Sequence, residues 1–108
     1  MIKNARPILE INLKNLLYNY NLAAEEVGAV CQVAPVIKAN AYGLGAREIG
    51  ETLHNESGCR AFYLAYVSEA EELQDSLKNC DLYILNIAFQ DELEFCCCSG
   101  FIPVLSNL

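Results

Sequence analysis

The sequence predicts an α/β fold built on a parallel sheet, and three observations lead there. Apolar runs rich in β-branched or aromatic residues (33–39, 61–67, 82–87 and 101–105) alternate with segments of helical periodicity. The run at 33–39 is almost continuously apolar around a single lysine, as in a parallel strand with both faces buried. Start and stop signals for helices stand in the gaps between the runs.

Taken in order, residues 8–13 read as a short extended start. From Leu13, the positions Leu16, Leu17, Tyr20, Ala24 and Val27 follow helical spacing, with Asn12 as N-cap and Gly28 as stop. The strand at 33–39 carries Pro35, which cannot donate to a ladder. Either the strand begins near Pro35 or a ladder bond is lost there, and the first is favoured. Gly43 and Gly45 break the pattern, and Ala46, Ile49, Gly50 and Leu53 resume helical spacing. After the strand at 61–67, Ser68 and Glu71 stand three apart as a capping box for the next helix. A strand at 82–87, a weak helix at 90–99 and a strand at 101–105 complete the series. A parallel strand ordinarily leads on to a covering helix, and none follows, so the chain reads as cut rather than finished.

The chain has 108 residues, 54% hydrophobic, with 7 basic against 14 acidic residues and a net charge of −7. That is enough to bury the core of one domain. The acidic balance argues against nucleic acid, whose phosphates need clustered Lys and Arg, and equally disfavours docking on an anionic membrane. No apolar run approaches the roughly 20 residues of a membrane span. Met1 to Pro7 carry two positive charges, but Glu10 and Asn12 interrupt any apolar stretch after them. No secretion leader is therefore expected, and the cytoplasm is the expected compartment. There the six cysteines (31, 59, 80, 96, 97 and 98) stay reduced. Their spacing fits no zinc pattern, so no metal is expected, and they read as ordinary thiols, the Cys96-Cys97-Cys98 triplet included. His54 reads as a helix-surface residue.

The chemistry points to Lys38, at the carboxyl end of its strand, where ligands gather in parallel α/β folds. An amine there is partly desolvated and more nucleophilic, suited to forming Schiff bases with carbonyl compounds such as pyridoxal phosphate. The Tyr42 hydroxyl could bond a phosphate oxygen, Gly43 and Gly45 allow close backbone approach, and the next helix would offer its N-terminus to an anion. On these grounds alone, a lysine that merely ends a strand and reaches solvent is the more common outcome, because such lysines are common and catalysis is rare.

The string Val36-Ile37-Lys38-Ala39-Asn40-Ala41-Tyr42-Gly43-Leu44-Gly45 resembles the signature of the alanine racemases. Weaker likenesses follow at Glu10-Ile11-Asn12-Leu13 with Asn19, Ala65-Tyr66-Val67-Ser68-Glu69-Ala70, Tyr83-Ile84-Leu85-Asn86 and Ile102-Pro103-Val104. The resemblance implies roughly the first half of a (β/α)8 TIM barrel, with residues 1–108 as its N-terminal part and the family's C-terminal β domain absent. It implies that pyridoxal 5'-phosphate is held as an internal aldimine on Lys38, which then serves as acid or base on one face of the substrate Cα. Tyr42 would contact the cofactor phosphate. Leu44 stands where many members have histidine. The implied reaction interconverts L-alanine and D-alanine, the latter for peptidoglycan.

In the family, a tyrosine from the partner subunit's second domain and an arginine at the pyridine nitrogen complete the site, and neither belongs to these residues. The chain alone is therefore expected to be inactive. Three readings stay open: one piece of a split racemase whose remainder is a separate chain, a degenerate remnant, or a non-catalytic α/β module that binds pyridoxal phosphate. The open edges of a half barrel also lead one to expect a complementary chain, self-association or poor stability.

Overall fold

The computed structural model describes residues 6–106. Met1 to Ala5, on which part of the reading of the N-terminus rests, lie outside the described residues. Residues 8–13 form no strand: Ile8 and Leu9 are 91% and 68% exposed, with no strand among the described residues paired to them. Helix α1 (Leu13–Val27) begins and ends where the sequence predicts. The Asn12 side chain accepts from the Asn15 amide at 3.0 Å, and the Gly28 amide donates to the Ala24 carbonyl at 3.2 Å.

The sheet is parallel throughout. Strands β1 (Ala61–Leu64), β2 (Asp81–Ile84) and β3 (Ile102–Pro103) lie side by side in chain order, in register Tyr63 to Tyr83 and Tyr83 to Ile102. Helices α4 (Val67–Leu73) and α5 (Gln90–Cys98) make the crossovers between them. A parallel bridge from Val36 to Tyr63 adds a fourth position beyond β1.

The predicted strand at 33–39 is reduced to that bridge. The Tyr63 amide donates to the Pro35 carbonyl and the Ile37 amide donates to the Tyr63 carbonyl, both at 2.9 Å. The next rung back would need a donor at residue 35, which proline lacks. Pairing therefore starts at Pro35, as favoured. It ends at Ile37, because Lys38 opens the five-residue α2 (Lys38–Tyr42). The other strands are also shorter than predicted, and Val67 belongs to α4 rather than to β1.

The core lies on one face of the sheet. Phe62, Leu64, Leu82 and Ile84 alternate inward and pack against Ile49 and Leu53 of α3 (Ala46–Ser57), Ala70 and Leu73 of α4, and Cys96 of α5. The opposite face presents Tyr63 and Tyr83, half-buried and stacked with ring centroids 4.6 Å apart, beside Val36, which is 42% exposed. The expectation of burial on both faces thus fails: among the described residues, helices cover one side only.

His54 is half-buried rather than a surface residue. Its Nδ1 donates to the Cys59 carbonyl at 2.7 Å and lies 3.4 Å from the Cys80 sulfur. Burial pushes the Cys59, Cys80 and Cys96 thiols up, away from the reactive thiolate. Tyr20 of α1 reaches the same cluster. Burial, then its hydrogen bond with Cys59, raises the phenol from 10.0 to about 12.

A raised acid pKa stabilises the fold while the group stays protonated in both states. The contribution is whole below pH 10 and is lost as pH rises through about 12. Thermal melts should therefore show a smaller loss of Tm over this window for Tyr20→Phe than for the wild-type chain. Parallel curves would mean that the phenol is not linked to folding.

Candidate functional site

Lys38 stands directly after the paired strand, at the carboxyl end of the sheet. The next four residues wind the wrong way. Ala39, Asn40, Ala41 and Tyr42 have φ of 51, 55, 55 and 56°, one turn of left-handed helix in L-residues. Such a turn crowds each Cβ against the following carbonyl and costs roughly 1–2 kcal/mol per residue. The sequence reading expected an extended chain through Ala39 and missed this, since only Asn40 is a residue type that enters this region readily.

Three sets of contacts hold the turn. Along the backbone, Ala41 donates to Ile37 and Gly43 to Ala39, both at 3.0 Å, and Gly45 donates to Asn40 at 2.9 Å. Gly43 and Gly45, at φ 86 and 102°, let the chain leave the turn. Packing adds to this, because Ile37 and Ala41 are 2% and 4% exposed and belong to the core. Side chains supply the third set. The Asn40 amide oxygen accepts from the Ala46 amide at 2.9 Å, and a Glu69 carboxylate oxygen accepts from the Ala39 amide at 2.7 Å.

Asn40 also corrects an expectation about α3. The N-terminus of that helix was expected to meet an anion. Its Ala46 amide is instead taken by Asn40, and a Glu48 carboxylate oxygen stands 2.6 Å from where a Cβ on Gly45 would lie. A side-chain oxygen and a negative charge fill the place that an anion would need.

The start of α4 is corrected as well. Ser68 and Glu71 are not its capping pair. The helix begins at Val67, and Glu69 turns back so that one oxygen accepts from the Ala65 and Tyr66 amides, both at 2.8 Å. Glu69 is the site residue to which the sequence reading gave no role. A signal for it exists, because Ala65-Tyr66-Val67-Ser68-Glu69 recurs in pattern as Ala88-Phe89-Gln90-Asp91-Glu92.

Lys38 is half-buried and the Tyr42 side chain is 65% exposed. Among the described residues, neither the Lys38 amine nor the Tyr42 hydroxyl has a protein hydrogen-bond partner. One amine and one hydroxyl, four residues apart on a pinned segment, suit a ligand carrying a carbonyl and an anionic group. A cleft of about 280 Å³ beside the turn is not that place. Glu69 and Glu72 line it, and its one cation, Arg47, is bonded to the Ser76 hydroxyl and, at 2.8 Å, to the Glu72 carbonyl. No cluster of His, Cys, Asp or Glu among the described residues could hold a metal ion. No helix among them is long and apolar enough to cross a membrane.

Comparison with known proteins bears on the whole chain. The family model described as "Alanine racemase, N-terminal domain" matches residues 11–108. The alanine racemase of Brucella suis (strain ATCC 23445 / NCTC 10510) is 39% identical over 102 residues, 94% of this chain and 25% of that protein. That of Methylobacterium sp. (strain 4-46) is 46% identical over 79 residues, 72% of this chain and 21% of its own length. Among solved structures, alanine racemase from Bartonella henselae with covalently bound pyridoxal phosphate superposes with a TM-score of 0.79 at 38% identity, covering 86% of this chain and 26% of that one. The E. faecalis alanine racemase, at 21% identity and a TM-score of 0.80, shows the same fold. The chain thus spans about a quarter of the length of the curated relatives it matches, and its parallel strands and helices correspond to part of their barrel.

The left-handed turn makes a prediction about Asn40. Asn40→Ala removes the bond to Ala46 and should cost about 1–2 kcal/mol in a urea titration, as for a lost helix cap. Asn40→Gly loses the same bond but is at ease at φ 55°, so it should cost less. An equal or larger cost for glycine would show that residue 40 is not left-handed in solution.

Proposed function

Because the chain belongs to the alanine racemase family, through the N-terminal domain, we propose that it supplies the lysine half of a pyridoxal phosphate-dependent amino-acid racemase site. The observation that carries this reading is the strained turn. Four left-handed L-residues directly after Lys38, tied down from two other elements, are the mark of a segment held for function rather than for packing alone. The unpartnered amine and hydroxyl fit the aldehyde and the phosphate of the cofactor, and the Bartonella henselae relative has pyridoxal phosphate covalently bound.

In this reading Lys38 Nζ is the covalent anchor of the cofactor and carries the proton at one face of the substrate Cα. The Tyr42 hydroxyl donates to the cofactor phosphate and fixes its orientation. When bound, pyridoxal phosphate delocalises the charge that develops at Cα into its ring. Racemisation also needs a proton carrier at the opposite face, and nothing in residues 1–108 is assigned that part. The chain by itself is proposed to bind the cofactor without turning over alanine, with the remaining groups supplied by other parts of a racemase. Alanine as substrate follows from the family.

The test is borohydride trapping of the 108-residue chain with pyridoxal phosphate, followed by peptide mass analysis. The added mass is expected on the peptide containing Lys38 and is lost in Lys38→Ala. Tyr42→Phe should weaken apparent affinity roughly tenfold, the scale of one hydrogen bond to a charged group. No L- to D-alanine conversion is expected from this chain alone. An untrapped wild-type chain would sink the reading of Lys38, and measurable racemisation would overturn the proposed division of the site.

A further inference from the structure

Glu69 and Glu92 offer an internal comparison. Each follows a parallel strand in the same pattern, Ala-aromatic-x-x-Glu, and the backbone at Tyr66 (φ −127, ψ 154°) is nearly that at Phe89 (φ −126, ψ 154°). Each glutamate bonds the two amides ahead of its helix through a single oxygen. Oε1 of Glu69 takes Ala65 and Tyr66 at 2.8 Å each, and Oε2 of Glu92 takes Ala88 at 2.9 Å and Phe89 at 3.2 Å. One oxygen is therefore enough for the cap. The second oxygen of Glu92 has no protein partner among the described residues. The second oxygen of Glu69 accepts from the Ala39 amide, thirty residues away, at 2.7 Å.

We propose that Glu69 is the positioning residue for Lys38: the oxygen its helix cap does not use holds the backbone next to the lysine in its left-handed turn. This rests on the reading of Lys38 given above. Ala39 follows Lys38 directly and opens the run of positive φ. Without a hold at that amide, sterics favour return to an extended or right-handed path, which would carry Nζ elsewhere. The carboxylate suits the task. Its bond to Ala39 is charge-assisted and short, and its other oxygen is fixed to the end of β1. Glu69 makes no hydrogen bond to the Lys38 side chain among the described residues, so it acts through geometry.

The experiment compares Glu69→Gln with Glu92→Gln in the 108-residue chain. In both, the amide oxygen can keep the helix cap. At position 69, an NH2 group then faces the Ala39 amide and cannot accept from it. Two readouts are taken: hydrogen exchange of the Ala39 amide by NMR, without cofactor, and the pyridoxal phosphate concentration giving half-maximal trapping on Lys38. Glu69→Gln should speed Ala39 exchange roughly 10–100-fold and raise the half-maximal concentration roughly tenfold, while Glu92→Gln changes either by less than about twofold.

Equal effects of the two variants, or unchanged Ala39 exchange in Glu69→Gln, would overturn the proposal, because a purely capping role responds alike at both positions. If Glu69→Gln does not fold, the wild-type chain decides. A scalar coupling across the hydrogen bond, from the Ala39 nitrogen to the Glu69 carboxyl carbon, is expected, and its absence counts against the proposal. If wild-type chain is not trapped by pyridoxal phosphate, the reading of Lys38 fails, while Ala39 exchange and the coupling still judge Glu69.

Discussion

A left-handed helix of L-amino acids sets each Cβ against the carbonyl that follows it, and residues 39–42 sustain one such turn without a glycine among them. The surrounding structure is arranged around that constraint. Ile37 just before it and Ala41 within it are buried and tie it to the core. Asn40 spends its side chain on the first amide of α3, so the turn and the helix after it stand or fall together. Glu69 reaches in from the next βα unit and joins the turn to the end of β1. No single one of these contacts compensates four left-handed residues; together they over-determine the conformation, which is the condition for strain to persist in a folded protein.

This arrangement is the reason the lysine, rather than one of the six cysteines or His54, is proposed as the chemical centre. Cys59, Cys80 and His54 cluster at the other end of the strands, where burial keeps the thiols protonated and the imidazole is occupied by a backbone carbonyl. The Lys38 end carries the features of a ligand site in a parallel sheet: strand termini, glycines at positive φ, and an amine and a hydroxyl without hydrogen-bond partners among the described residues. Helices on one face of the sheet only among the described residues, with the Tyr63–Tyr83 stack on the other, suit a segment of a closed barrel, where the second face turns toward the barrel interior.

Much of this was legible in the residues. The spacing of Leu16, Leu17 and Tyr20, bounded by Asn12 and Gly28, placed α1 to the residue, because capping and periodicity are local. Pro35 marked where pairing begins, because a missing N–H is a property of one residue. Strand lengths were read too long at every position, since apolar runs report burial and the ladder is set by what lies alongside. The cap of α4 was misplaced by two residues, from Ser68 to Tyr66, because Glu69 competes with Glu71 for the role and only its reach to the amides of Ala65 and Tyr66 decides between them.

The sequence by itself determined the α/β class, the parallel alternation, the membership signalled by the residues around Lys38, and Lys38 and Tyr42 as the groups to examine. These depend on side-chain identity and short spacing. The tertiary structure alone decided the handedness of the turn that presents them, the loss of the α3 N-terminus as an anion site, and the part of Glu69. Handedness at Ala39 and Ala41 cannot be read from alanine, which intrinsically prefers the opposite twist. It is held by contacts from outside the turn, among them a carboxylate thirty residues away, and contacts of such separation exist only in the folded chain.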